Sequence, residues 1–304
     1  SRMLPMPGAD HPRVLGAMDF RYRLAFDGAV DVGGDVLTIG GGNVACDAAR
    51  SAVRLGAERV RMMCLENAEE MPAWDWEVRE AEEEGVTIVH RRGPVEVVTE
   101  GGAIRGLKTR GMTSVFDDEG RFHPQYDESD IETLACDTVI VAIGQQADYG
   151  FVEGTGLERT ERGRLAFDPA TLQTSRENVF ACGEIVTPPG SAVEACASGQ
   201  RAAEAIDQYL SGETIDVEEE IPPAIEEIAT PAKEKVIRVD RAEVPTEPAD
   251  KRRASFGPVD RNFDIETALR EARRCMSCGS GAEVLADKCA ACLTCLRVCP
   301  FDVP

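Results

Sequence analysis

A short apolar run, Val36-Leu37-Thr38-Ile39, stops at three consecutive glycines, Gly40-Gly41-Gly42, and gives way to a helical stretch from Asn43 to Leu55. Three aliphatic residues around one threonine, without alternation, suit a strand buried on both faces, as parallel sheets require. Gly56 ends the helix, and Arg59-Val60-Arg61-Met62-Met63-Cys64-Leu65 reads as the next strand. A strand, crossover helix and second strand form a βαβ unit, which commits this part of the chain to an α/β fold.

The turn itself carries chemistry. Gly40-x-Gly42-x-x-Ala45 follows a strand and opens a helix, where a dinucleotide fingerprint has to sit. The first glycine permits the tight turn, the second lets backbone approach a pyrophosphate, and Ala45 lets the helix pack closely. The first helical turn, with Asn43 and Val44, offers its N–H groups to phosphate oxygens. Gly40, Gly41, Gly42, Asn43, Val44 and Ala45 are therefore the candidate loop, against the alternative of a purely structural turn. Glu66 stands at the end of the second strand, about 20 residues after Ala45, where a carboxylate bonds ribose hydroxyls. It suits NADH and would repel the 2′-phosphate of NADPH; the alternative is an exposed loop glutamate.

The pattern continues with a charged helix over Trp74–Glu84, a strand over Val86–Val89, and alternating hairpins across 95–126. Further strands are expected at Thr138–Ile143, halted by Gly144, and at Val179–Cys182, followed by a helix over Ala192–Leu210. Residues 1–30 read as a connector with one short helix. Residues 212–262, rich in proline, Glu and Lys, read as an extended linker, and Ile265–Arg274 as a helix.

Charge and composition exclude partners. The net charge of −22 over 304 residues opposes binding to nucleic acid phosphates or anionic lipid. No stretch approaches the roughly 20 apolar residues of a spanning helix. The chain is expected to be cytoplasmic, without membrane insertion.

Of the eleven cysteines, Cys46, Cys64, Cys136, Cys182 and Cys196 are scattered, which suits small apolar packing residues. His11, His90 and His123 read as surface or turn residues, Met62, Met63, Trp74 and Trp76 as core or interdomain packing, and Glu218–Glu220 as a solvated face. The other six cysteines crowd the end of the chain. Cys289-x2-Cys292-x2-Cys295-x3-Cys299-Pro300 is the full bacterial ferredoxin spacing, with Cys275-x2-Cys278 upstream. Short spacers let consecutive thiolates converge on one cubane. Six ligands exceed one 4Fe–4S cluster and fall short of two, so further ligands would come from more sequence or a partner chain. A zinc site using Cys275, Cys278, Cys289 and Cys292 would leave Cys295 and Cys299 unexplained.

Gly40–Arg50, Glu69-Glu70-Met71-Pro72-Ala73 and Glu84-Gly85-Val86 resemble the NAD(P)-binding part of the glutamate synthase small-subunit (beta-chain) family of flavoproteins. Cys136–Gln145 is similar to the strand by which that family returns to its flavin domain. Asn178–Glu184 is similar to its second flavin motif, and residues 192–206 to the helix that follows. Phe263–Gly279 resembles the tail joining such proteins to ferredoxin-like modules. The resemblance implies an α/β fold: a Rossmann-like NAD(P)-binding domain and a partial FAD-binding domain of the pyridine nucleotide-disulfide oxidoreductase type. A C-terminal ferredoxin-like segment would follow. The expected parts are 1–30, the end of the first FAD segment or connector; 31–143, the NAD(H) domain; 144–211, the second FAD segment; 212–262, the linker; and 263–304, the iron–sulfur segment.

By the same resemblance, Gly144 gives clearance near the nicotinamide, and Gly183, Glu184, Ala192 and Val193 build part of the FAD pocket. Electrons would pass from NADH through FAD to the 4Fe–4S clusters and on to other subunits of a redox complex. No side chain need act as acid or base. Three departures stand out. Leu65 and Glu66 occupy the positions of two arginines that grip the NADPH 2′-phosphate, Glu184 replaces an aspartate, and the glycine-rich fold for the ADP half of FAD has no counterpart. Another polypeptide would supply that half, or the chain is a fragment. Rival readings are a glutamate synthase small subunit, a non-catalytic iron–sulfur adaptor, and a zinc-stabilised scaffold or NAD sensor.

Overall fold

The computed structural model describes residues 2–28, 30–161, 163–186, 190–217 and 240–272. The chain divides into two compact units, Ser1–Glu220 and Ile221–Pro304. Glu218–Glu220, the last two residues of the helix expected to end at Arg274, and all six clustered cysteines, Cys275, Cys278, Cys289, Cys292, Cys295 and Cys299, lie outside the described residues.

The first unit is built on a parallel sheet of five strands. These are β1 (Val14–Gly16), β2 (Asp35–Ile39), β3 (Arg59–Met63), β4 (Thr87–Val89) and β8 (Thr138–Val141), in the order β1-β8-β2-β3-β4. Between β4 and β8 the chain makes an antiparallel sheet of β5 (Arg92–Glu100), β6 (Ala103–Phe116) and β7 (Phe122–Leu134). Side chains alternate across a strand, so the parallel sheet feeds two cores. Val36, Val60, Met62 and Ile140 face α1 (Ala17–Asp27), α2 (Asn43–Arg54) and α3 (Asp75–Glu83). Leu37, Ile39, Met63, Val139 and Val141 face Val97, Ile104, Leu107 and Leu134 of the antiparallel sheet. The result is three layers, helices on one face of the parallel sheet and strands on the other.

α2 lies close because the residues it buries are mostly small: Ala45, Cys46, Ala48, Ala49, Ala52 and Val53. Arg50 and Arg54 of α2 converge on Glu84, the C-cap of α3, with Nη2–Oε1 distances of 2.7 and 2.9 Å. The Glu84 side chain is fully buried. Burial opposes its charge, but the arginine hydrogen bonds outweigh it and hold the carboxyl below its ordinary range.

Several expectations are refined. β1 pairs in parallel with β8, so residues 1–30 contribute a strand and α1 to the sheet layer. A three-residue strand has too little alternation to be read from sequence. Phe180 makes one isolated bridge to Gln173 where a strand over Val179–Cys182 was expected. The following helix, α4 (Ala192–Ser211), opens on a capping box of Ser191 and Glu194. Small clusters of Leu172, Ala202, Ala205 and Val217, and of Leu165, Ala181 and Val186, hold this part together.

In the second unit, residues 245–261 form a closed loop where an extended arm was expected. Glu247 and Arg261 exchange backbone bonds with Val259 and Pro245, and pair through Arg261 Nε at 2.7 Å. A helix, Ile265–Ala272, follows.

Candidate dinucleotide-binding site

The C-terminal ends of β8, β2 and β3 line up along one edge of the parallel sheet, and the turns after them carry Gly144, Gly40–Gly42 and Glu66. Ligands of open α/β sheets bind in this place. A cleft of about 470 Å³ runs along it, lined by all five of those residues. Each fingerprint residue has its own surroundings in the turn. Gly40 has φ of 141°, and a Cβ there would strike the backbone oxygen of Ala142. A Cβ on Gly42 would meet nothing within 4 Å. Ala45 is fully buried under the turn. Asn43, Val44 and Ala45 form the first turn of α2, whose N-cap Gly42 makes no side-chain cap. Ala45 N is used within the turn, donating to Gly42 O at 2.9 Å, which leaves the Asn43 and Val44 amides and the helix dipole at the Gly42 end that lines the cleft.

Gly41 adds a reason that the fingerprint does not. A Cβ on it would lie 2.8 Å from Glu66 Oε2 and 3.1 Å from Cys64 Cβ. The Glu66 carboxylate therefore leans across the turn. The Met71-Pro72-Ala73-Trp74 segment braces the turn from outside. Ala73 N donates to Gly41 O at 3.1 Å, and Trp74 N donates to Asn43 Oδ1 at 2.9 Å. Glu70 accepts from Asn67 N and pairs with Arg91 at 3.1 Å, tying the loop after β3 to the end of β4.

The cleft has a second wall that the sequence reading missed. Arg92 and Pro94 of β5 and Phe122, Pro124 and Tyr126 of β7 line it opposite the glycine turn. The signal was present, since residues 122, 124 and 126 alternate along one strand, but alternation alone does not say which sheet face meets a ligand. Arg2 and Leu4 line the Gly144 end, where Arg2 N donates to Gly144 O.

The second group of expected residues gathers at the start of α4. Gly183 has φ of 69°, its N–H donates to Ser198 Oγ at 3.0 Å, and Glu184 Oε1 accepts from Gly190 N at 2.9 Å. These bonds bring Gly183 and Glu184 to the helix end bearing Ala192 and Val193.

Burial pushes the Cys46, Cys64 and Cys136 thiols up to about 12, which suits packing and not redox attack. Cys196 departs from that expectation, being exposed on α4. Met62 and Met63 are in the core, whereas Trp74 and Trp76 are 55% and 45% exposed and stack on each other at 4.3 Å. His90 lies against Cys64 Sγ, at 3.6 Å from Nδ1, and His11 bonds Gly102 O. Among the described residues, no group of His, Cys, Asp and Glu could hold a metal, and no helix is long and apolar enough to cross a membrane.

The pattern of one family, described as pyridine nucleotide-disulphide oxidoreductase, matches residues 1–199. The chain belongs to this family. It is 39% identical over 250 residues to the NADP(+)-dependent formate dehydrogenase subunit beta of Moorella thermoacetica, covering 80% of this chain and 35% of that protein. It is 30% identical over 297 residues to the NADPH-Fe(3+) oxidoreductase subunit beta of Geobacter sulfurreducens, covering 86% and 44%. It is 32% identical over 219 residues to the glutamate synthase (NADPH) small chain of Halomonas elongata, covering 67% and 46%. The resemblance carried by the motifs is thus borne out, and the chain spans between a third and a half of these relatives' lengths. Mycobacterium tuberculosis FprA in complex with NADPH superposes with a TM-score of 0.56 at 17% identity, over 70% of this chain and 62% of that one. T. acidophilum thioredoxin reductase gives 0.50 at 20%, over 69% and 62%. These likenesses bear out the α/β fold class of the first unit of this pyridine nucleotide-disulphide oxidoreductase relative.

Proposed function

We propose that this chain is an electron-transfer oxidoreductase subunit that takes electrons from NADH and passes them, by way of FAD, to iron–sulfur clusters serving a partner enzyme in a complex. The observation that carries the reading is the cleft across β8, β2 and β3, with uncapped α2 on one side and Glu66 over Gly41. The pyrophosphate lies on the α2 N-terminus, Glu66 takes the adenosine ribose, and Gly144 leaves room at the nicotinamide end.

Gly183, Glu184, Ala192 and Val193 would hold FAD. A left-handed glycine with open space at its Cβ position and the Glu184 carboxylate, an acceptor for hydroxyl groups, suit its polyol chain. The bound flavin would supply the exchange between two-electron and one-electron chemistry. The protein's own part is to bind, orient and exclude water. Cys275, Cys278, Cys289, Cys292, Cys295 and Cys299 would hold 4Fe–4S clusters, since six thiols at ferredoxin spacing match that donor set. Partners would include other subunits of the complex and a source for the ADP-binding half of the FAD domain, in the cytoplasm.

Electrostatics favours NADH. A 2′-phosphate would meet the Glu66 carboxylate, and the nearby Arg91 and Arg92 each already pair with a carboxylate, although the buried Arg91 Nη1 has no hydrogen-bond partner among the described residues. Arg91 pairs with Glu70, and Arg92 pairs with Asp130 at 2.8 Å and Glu132 at 3.2 Å. A second reading, NADPH, is favoured by the names of the relatives, three of which specify NADP(+) or NADPH. Equilibrium titration with each cofactor separates them. NADH binding at least tenfold tighter than NADPH, with Glu66→Arg narrowing or inverting the gap, supports the first reading. Tighter NADPH binding by the unaltered chain supports the second. A factor of ten is about 1.4 kcal/mol, within reach of one like-charge contact at short range.

A further inference from the structure

The antiparallel sheet does more than cover the parallel one: its last strand faces the cleft. Phe122, Pro124 and Tyr126 of β7 all line it, across a stretch where the β6–β7 pairing shifts register twice. Arg110 of β6 stacks its guanidinium on one face of the Tyr126 ring, 3.5 Å from the centroid, and is itself paired with Glu128. Gly93 of β5 makes room for the ring, because a Cβ there would lie 2.6 Å from Tyr126 Cε1. Phe122 is braced edge-on by Phe116, with centroids 6.3 Å apart, yet is 62% exposed. These are preorganised aromatic surfaces, one half-buried and one at the rim.

Strand order says which end of a dinucleotide they meet. Gly144 follows β8 on one side of the glycine turn, and Glu66 follows β3 on the other. The start of β5 is tied to the Glu66 side, since Arg91 N donates to Glu66 O and Arg92 N to Cys64 O. Tyr126 rests on Gly93, one residue further along. Tyr126 therefore stands beyond Glu66 and away from the Gly144 end.

We propose that the Phe122–Tyr126 face of β7 is the adenine subsite, with Tyr126 as the stacking platform and Phe122 closing the rim. The inference rests on the dinucleotide reading of the cleft and adds the base-binding residues to it. Aromatic stacking on a nucleobase contributes about 1–3 kcal/mol, here aided by a ring already held in place by Arg110.

The test is calorimetric titration of the full chain with NADH, ADP-ribose and reduced nicotinamide mononucleotide. Tyr126→Leu and Phe122→Ala are each expected to weaken NADH and ADP-ribose by roughly fivefold or more and to leave the mononucleotide unchanged. Tyr126→Phe is expected to retain wild-type affinity, because the ring face and not the hydroxyl does the binding. Phe122→Ala alters an exposed side chain and keeps the test valid should Tyr126→Leu fail to fold. Wild-type affinity for ADP-ribose in Phe122→Ala and in folded Tyr126→Leu overturns the subsite while the cleft reading stands. Equal weakening of the mononucleotide overturns the assignment to adenine. Wild-type protein that binds neither NADH nor ADP-ribose overturns both readings.

Discussion

Glu66 and Gly41 decide the character of the cleft at the scale of single residues. Gly41 is absent from the fingerprint as usually stated, but its missing Cβ is the space that Glu66 Oε2 and Cys64 Cβ occupy. Gly41→Ala is expected to fold, because a glutamate tip can move by an ångström, and to lose much of the proposed discrimination against NADPH as the carboxylate is displaced. Parallel titrations with NADH and NADPH measure this. Gly40→Ala is a different case. At φ of 141° and against the rigid carbonyl of Ala142, an added methyl has nowhere to go. It is expected to cost at least about 1–3 kcal/mol, the range for a residue in a sparsely populated backbone region, read as a lower urea midpoint. The fingerprint and Glu66 were legible in the sequence because their chemistry is local. Tyr126 and Phe122 were not, because their position depends on how a second sheet is laid over the first.

At the scale of elements, α2 and α3 are joined by charge in a buried place. Arg50 also reaches Glu77 at 3.3 Å and Glu80 at 2.8 Å, so the helices share several carboxylates around two guanidinium groups. Glu84 is the most buried of them, and this gives a physical reason for the Glu-Gly-Val motif. Glu84 bonds the arginines, and Gly85, with φ of 95°, turns the chain toward β4. Glu84→Gln is expected to destabilise by roughly 3 kcal/mol, because Arg54 loses its buried carboxylate partner while Arg50 keeps Glu77 and Glu80. The native Glu84 carboxyl titrates below its ordinary value of 4.5. Its stabilisation is therefore complete above that pH and lost as pH falls through the lower folded value. Chemical denaturation of both proteins from pH 7 down to pH 3 is expected to show the gap between them closing at the acid end. α2, α3 and α4 were legible to within a residue or two because each is bounded by a glycine turn or cap. β1 and the loop of 245–261 were not, since both are fixed by distant pairing partners: β8 for the strand, and Glu247–Arg261 for the loop.

At the scale of the whole molecule, the proposed relay joins a dinucleotide cleft and part of a proposed flavin site to a cysteine-rich segment. The parallel sheet and its glycine turn made the α/β fold legible, and the family's pattern matches residues 1–199. The relay is tested most directly by one measurement. The chain is purified without air together with its native partners, iron, sulfide, zinc and flavin are counted, and the visible spectrum is followed as NADH is added. The account predicts brown protein with about four or more irons per chain, bleached by NADH when flavin is present. Stoichiometric zinc without iron, or iron-loaded protein with flavin that NADH leaves unchanged, would contradict it.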